Sequence, residues 1–169
     1  LSIEFEKLLK KVKGNAPQAR IQGVTVQKMV EEIDYEIILG AKKDSDFGSV
    51  ILFGMGGIGV QILRDFAIGL SPLNQILARK LMEETEAYRM LQGYRGKAPA
   101  DLRQLEQIIV SFSNLIIDFP EIAEMDINPL AISQGKAYAL DARIIIDKDY
   151  LEENNPSQYP HLVITPYPT

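Results

Sequence analysis

The chain has 169 residues, enough for one domain that buries a core without disulfides or a structural metal. Its 18 Lys and Arg against 23 Asp and Glu leave a net charge of −5, which argues against the basic surface that a nucleic-acid backbone requires. There is no cysteine, which excludes disulfide scaffolds, thiolate metal sites and cysteine nucleophiles; the single histidine, His161, argues against a His-based metal site or a Ser-His-Asp triad.

Residues Ile3 to Val12 place Ile3, Phe5, Leu8, Leu9 and Val12 near one face, and this spacing predicts a short amphipathic helix capped by Ser2 and ended by Gly14-Asn15-Ala16-Pro17. No basic-then-apolar signal precedes it, and no stretch approaches eighteen uninterrupted apolar residues, so the expected location is cytoplasmic, without a membrane partner. The start, Leu1-Ser2-Ile3, lacks an initiator Met and reads as a piece of a longer chain. Alternation predicts a strand over Gly23 to Val30, a second over Glu36 to Lys43, and a third over Ser49 to Gly54. The turn residues Asp44 to Gly48 make the last two adjacent and antiparallel.

Four glycines follow in Gly54-Met55-Gly56-Gly57-Ile58-Gly59. Exposed amides there can cradle phosphate, but the run matches neither a phosphate-binding loop nor G-x-G-x-x-G, and a tight turn explains it better. Val60 to Leu70 fits strand or helix. Ser71-Pro72 is expected to open a helix that runs to about Glu84, with a break around Gly93 to Pro99. Asp101 then caps a long helix whose apolar stripe is Leu102, Leu105, Ile108, Ile109, Phe112, Leu115, Ile116 and Phe119, stopped by Pro120. From Glu121 a hairpin is predicted, returning over Ala137 to Ile146. The tail from Asp147 to Thr169 is Pro-rich and expected to be extended, with His161 an exposed residue. Strands and helices mix without a regular βαβ alternation, so the class is α+β.

The hairpin carries the most chemistry. With its turn at Ser133-Gln134-Gly135-Lys136, Asn128 falls opposite Asp141 and Asp126 opposite Arg143. Period two places Glu124, Asp126 and Asn128 on one face. An amide oxygen and a carboxylate at Asn128 and Asp141, roughly 5 Å apart at the Cβ level, suit Mg²⁺, which takes hard oxygen ligands and shares them with waters and phosphates. The same pattern also fits a solvated strand face with an Asp126–Arg143 salt bridge. Pro129 implies an edge or a bulge. The apolar residues around Asp141, namely Ala139, Leu140, Ala142, Ile144 and Ile145, predict that it is buried and partnered.

Taken in order, Gly23 to Val30, Glu36 to Gly40, Phe47-Gly48, Val50 to Gly57, Gly93-Tyr94-Arg95-Gly96, Pro99 to Asp101, Asp118 to Pro120, Glu124 to Leu130 and Asp141 to Ile144 resemble the carboxy-terminal half of an ATP-grasp domain. The relatives suggested are the ADP-forming acyl-CoA synthetases (acetate–CoA ligases) and, more distantly, the succinyl-CoA synthetase β subunit. The resemblance implies an ATP-grasp carboxy-terminal subdomain over 1–146, mostly antiparallel with flanking helices, and a tail over 147–169. It implies that Gln27, Lys28, Met29 and Val30 form a hinge strand whose backbone reads the adenine of ATP or ADP. By the same resemblance Glu36 sits near the ribose, Asn128 and Asp141 hold Mg²⁺, and Asp126 lies near the transferred phosphate. The implied reaction is acyl-CoA, ADP and phosphate to acid, CoA and ATP through a phosphohistidine. The implied partners are an ATP-grasp amino-terminal subdomain and CoA-binding domains or a subunit that carries them, so this stretch alone is expected to be inactive. Gln61 stands where the family usually has Glu, and it favours an alternative in which the module is regulatory and fused to an acetyltransferase or another domain.

Overall fold

The computed structural model describes residues 2–57, 65–148 and 150. Six strands form one antiparallel sheet: β1 (Tyr35–Asp44), β2 (Gly48–Met55), β3 (Phe66–Leu70), β4 (Ile122–Ser133), β5 (Lys136–Ala139) and β6 (Ala142–Ile146). The order is β3-β2-β1-β4-β5, with β6 also paired to β4. Helices α2 (Gln75–Glu83), α3 (Glu86–Leu91) and α4 (Leu102–Asp118) pack on one face, and α1 (Ser2–Asn15) buries no residue. This is the α+β class read from the sequence. Among the described residues, no helix is long and apolar enough to cross a membrane.

Alternation decides which face of the sheet is covered. Along β1, Tyr35, Ile37, Leu39 and Ala41 are buried toward the helices, as are Ile51 and Phe53 of β2. They meet Leu81 and Met82 of α2, Leu91 of α3, and Leu105, Ile109, Phe112 and Ile116 of α4. The opposite face is open. Phe66, Ile68 and Leu70 of β3 are about half exposed on it, while Ala67 between them is buried.

Helix ends follow local capping chemistry. Asp101 caps α4 as expected, its carboxylate accepting from Gln104 N at 3.0 Å. The expected helix start at Ser71-Pro72 is not observed. That peptide is cis, and Asn74 caps α2 by accepting from Leu77 N at 2.9 Å. Thr85 then caps a separate short helix, α3, whose first amides also donate to Asp65: Glu86 N at 2.8 Å and Ala87 N at 2.7 Å. The stripe on α4 contains two polar members that hydrophobic spacing passes over. Glu106 is buried against Arg79 of α2 at 2.7 Å, and the Ser113 hydroxyl accepts from Leu73 N at 3.0 Å.

The stretch predicted as a strand at Gly23 to Val30 belongs to no ladder. Both edges of β1 are already taken, by β2 and by β4, so the preceding segment finds no strand to pair with there. The part of Val60 to Leu70 that is described is strand from Phe66. Gln61, His161 and the tail from residue 151 lie outside the described residues.

Phe53 is fully buried and Ile68 is 56% exposed, although both are apolar residues of neighbouring strands. Phe53→Ala is expected to cost about 3–5 kcal/mol and Ile68→Ala well under half of that. Urea denaturation followed by circular dichroism checks it, and equal losses would refute the assignment of the covered face.

Candidate functional site

The hairpin register read from sequence is the one observed. Ser133 pairs with Lys136, Leu130 with Ala139, Ile127 with Ala142, and Asp126 with Arg143. Between these runs Asn128 N donates to Asp141 O at 3.1 Å and Leu140 N to Pro129 O at 3.1 Å, so Asn128 and Asp141 face each other across the pair. The predicted single return strand is broken there into β5 and β6. Pro129 has no N–H to give, and its bond to Asn128 is cis.

The irregularity implied by Pro129 falls on the other edge of β4. Ile37 pairs with Leu130 and Leu39 with Ile127, so Asn128 and Pro129 together oppose Ile38 alone. Asn128 is therefore released from the β1 ladder, and its side-chain oxygen accepts from Gly57 N at 3.1 Å.

Two adjacent glycines let the end of β2 come this close. Gly56 N donates to Glu36 O at 2.9 Å, and a Cβ on Gly56 would lie 2.6 Å from the Ile37 carbonyl carbon. Gly57 has φ +60, and a Cβ there would run into the Glu36 carboxylate. Glu36, Gly57 and Asn128 thus meet at one point, contributed by β1, the end of β2 and β4. The glycine run does build a tight turn up to Gly57; Ile58 and Gly59 lie outside the described residues.

Asp126 lies on the same open face, two residues before Asn128, opposite Gly40 on one side and Arg143 on the other. Arg143 reaches Glu124 at 3.6 Å and not Asp126, so the simple Asp126–Arg143 bridge is not formed. Asp141 is exposed, contrary to the expectation of burial. Its neighbours Leu140, between β5 and β6, and Ile144 and Ile145 of β6 are themselves 37 to 51% exposed, because the helices do not cover this edge of the sheet.

Gln27, Lys28 and Met29 are exposed and Val30 is half-buried. Lys28 meets the hairpin: its ammonium lies 6.0 Å from the centre of the Tyr138 ring on β5. Tyr138 is opposite Ala131, which is opposite Glu36, so this contact joins the segment to the same face. Beside the site a cleft of about 380 Å³ opens, lined by Asp34, Glu36, Met55, Gly56, Met90 and Lys97 among others. Among the described residues, no three His, Cys, Asp or Glu converge on a metal position. Asn128 and Asp141, the pair expected from sequence to hold the ion, stand opposite each other in the backbone register. The sequence reading singles out Gly57 within the glycine run but not its contacts with Glu36 and Asn128, and it passes over Tyr138 and Lys97. Tyr138 and Lys97 are placed by long-range packing alone.

An ATP-grasp domain model matches residues 1–146. The chain is 39% identical over 145 residues to an ADP-forming acetate–CoA ligase I of Archaeoglobus fulgidus, covering 86% of this chain and 21% of that protein. It is 35% identical over 142 residues to the β subunit of an ADP-forming acetate–CoA ligase I of Pyrococcus furiosus, covering 84% of this chain and 61% of that subunit. In each case the chain spans less than two thirds of its relative. A solved structure of an acetyl-coenzyme A synthetase from Candidatus Korarchaeum cryptofilum superposes with TM-score 0.65 at 32% identity, over 70% of this chain and 55% of that one. It holds coenzyme A and Mg-AMPPCP, with a phosphohistidine segment pointing towards the nucleotide binding site.

Gly57→Ala is expected to destabilise the fold by about 1–2 kcal/mol, from the left-handed φ and the collision with Glu36. Adding Glu36→Ala should recover part of that loss, with a coupling of about 0.5 kcal/mol or more in a double-mutant cycle by chemical denaturation. Strict additivity would show that the Glu36 carboxylate does not rest on Gly57.

Proposed function

The chain belongs to the ATP-grasp domain family, and on that premise we propose that it is the nucleotide- and magnesium-binding part of an ADP-forming acyl-CoA synthetase, incomplete as a catalyst by itself. The observation that carries this reading is the convergence of Glu36, Gly57 and Asn128 on the open face, with Asp141 directly across from Asn128. The likeness to ADP-forming acetate–CoA ligases supports the reaction class, and the Mg-AMPPCP in the related structure supports the ligand.

The donor set fits magnesium. Asn128 would offer an oxygen without charge, and Asp141 would offer one charge at an exposed position open to waters and phosphate oxygens. When bound, the ion supplies neutralisation of phosphate charge. The protein's own part is positioning. The hydrogen bond from Gly57 N fixes the Asn128 amide oxygen, and the backbone hydrogen bond from Asn128 N to Asp141 O holds the two residues opposite each other. The backbone of Gln27 to Val30 presents amide and carbonyl groups to an adenine edge, and Glu36 a carboxylate to ribose hydroxyls. Asp126, on the same face, would lie near the transferred phosphate. Phosphoryl transfer asks for little more than such placement and charge balance.

The partners in this reading are an ATP-grasp amino-terminal subdomain and a CoA-binding region, on the same chain or another, in a cytoplasmic enzyme. A second reading, a regulatory module fused to another domain, rests on Gln61 in place of the family's Glu. Turnover of acyl-CoA, ADP and phosphate by the intact protein separates the two.

Asp141→Asn in the intact protein should weaken Mg·ADP binding about tenfold or more, because it removes the charged ligand. Calorimetry with magnesium and with EDTA measures this, and the difference between variant and wild type should vanish in EDTA. Unchanged affinity in magnesium would refute the metal assignment.

A further inference from the structure

We propose that Lys97 is a positioning residue for nucleotide recognition: it fastens the bend Glu31 to Asp34, through which Gln27 to Val30 joins β1, onto the same body that carries Asn128 and Asp141. The inference rests on the reading of Gln27 to Val30 as the base-recognising segment.

The bend is gripped from two sides. On one side is the turn between β4 and β5. Ser133 Oγ donates to Glu31 O at 2.9 Å, Asp34 N donates to Ile132 O at 2.8 Å, and Gln134 N donates to the Asp34 carboxylate at 3.2 Å. Gln134 Nε2 adds a bond to the Glu32 carboxylate at 3.3 Å, and Glu32 itself has φ +52. On the other side is the loop between α3 and α4. Lys97 Nζ donates to the carbonyls of Asp34 and, at 3.4 Å, Ile33. It sits 5.6 Å from the centre of the Tyr35 ring, and Tyr35 OH donates back to Ala98 O at 2.9 Å. The clasp is reciprocal: each side of the contact supplies a side-chain donor to the other's backbone.

The loop is built to hold Lys97 there. Gly93 N donates to Met90 O at 3.0 Å and Ala100 N to Leu91 O at 2.8 Å, which seats both ends of the loop on the end of α3. Lys97 N closes a turn onto Tyr94 O at 3.0 Å, with Gly93, Arg95 and Gly96 all at positive φ. A surface lysine ordinarily keeps its freedom in water. This one uses its ammonium on two main-chain carbonyls of a bend that has no regular secondary structure of its own.

The geometry gives the clasp a purpose. The turn that grips the bend from below continues β4, five residues beyond Asn128, so that grip puts the bend in register with the metal-ligand pair. Lys97 closes the opposite side and stops the bend from swinging away. The base-reading end and the phosphate-holding end of one site are thereby kept at a set spacing, and a nucleotide that spans both does not have to order the segment when it binds.

The test compares wild type, Lys97→Met and Lys97→Arg in the intact protein. The readouts are Mg·ADP affinity by calorimetry, amide exchange in the ligand-free state, and melting temperature. Lys97→Met is expected to lose about tenfold or more in affinity. Exchange should quicken through residues 27–34 but not in β1 or β4, and the melting temperature should hold. Lys97→Arg, which keeps a cation and its donors, should recover most of the affinity. Unchanged ADP affinity in Lys97→Met would overturn the positioning role, and so would faster exchange spread over the whole sheet with a matching fall in melting temperature. Wild-type protein that does not bind Mg·ADP overturns the functional reading, and the role of Lys97 with it. Wild-type binding that survives Lys97→Met undiminished overturns the role of Lys97 alone.

Discussion

Strand β1 has both of its edges hydrogen-bonded, by β2 on one side and β4 on the other, and the candidate site is laid out from that fact. Because its odd-numbered residues from Tyr35 to Ala41 are buried under the helices, its even-numbered residues must look out from the uncovered face. Glu36 is the first of these. Its neighbours on that face come from β4 through Ala131 and from the end of β2 through Gly56. The site is therefore a consequence of a sheet that is covered once and paired twice at its centre.

Within that frame, one local departure makes chemistry available. A regular strand would pair every residue of β4 with β1. The two-against-one step at Asn128 and Pro129 opposite Ile38 breaks the pairing for one residue, and Asn128 uses the gap to accept from Gly57. The glycines at the end of β2 complete the arrangement by subtraction, since a methyl group at either position would strike backbone or carboxylate. The outcome is an Asn128 amide oxygen held by Gly57, with the exposed Asp141 paired across from Asn128.

The open face divides into two regions of different character. Around β1, β4 and β6 it is polar, with Glu36, Glu124, Asp126, Asn128 and Arg143. Along β3 it is an apolar row of Phe66, Ile68 and Leu70. The helices on the other side bury a conventional core and hold the polar pairs Arg79–Glu106 and Leu73–Ser113 that lock α2 and the turn before it onto α4. Stability is thus concentrated on one side of the sheet and the candidate chemistry on the other. The chain spans 21% of one of the ligases it matches and 61% of another.

Period-two alternation and turn chemistry are local properties, and they settled much from the residue string alone. The Ser133 to Lys136 turn set the register that puts Asn128 across from Asp141 and Asp126 across from Arg143, and Asp101 announced the start of α4. The glycine run marked where backbone would approach backbone. Tertiary structure decided what depends on neighbours distant in sequence. The Gly23 to Val30 segment alternates like a strand yet stays outside the sheet, since β1 has no edge left to offer. Asp141 sits among apolar residues yet is exposed, because burial is granted by the helices and they cover the opposite face. Ser71-Pro72 carries a helix-start pattern, but Asn74 is the residue whose side chain meets the first free amides. Lys97 has nothing in its own surroundings to distinguish it from any surface lysine; its partners at Ile33 and Asp34 lie more than sixty residues away and were brought to it only by the fold.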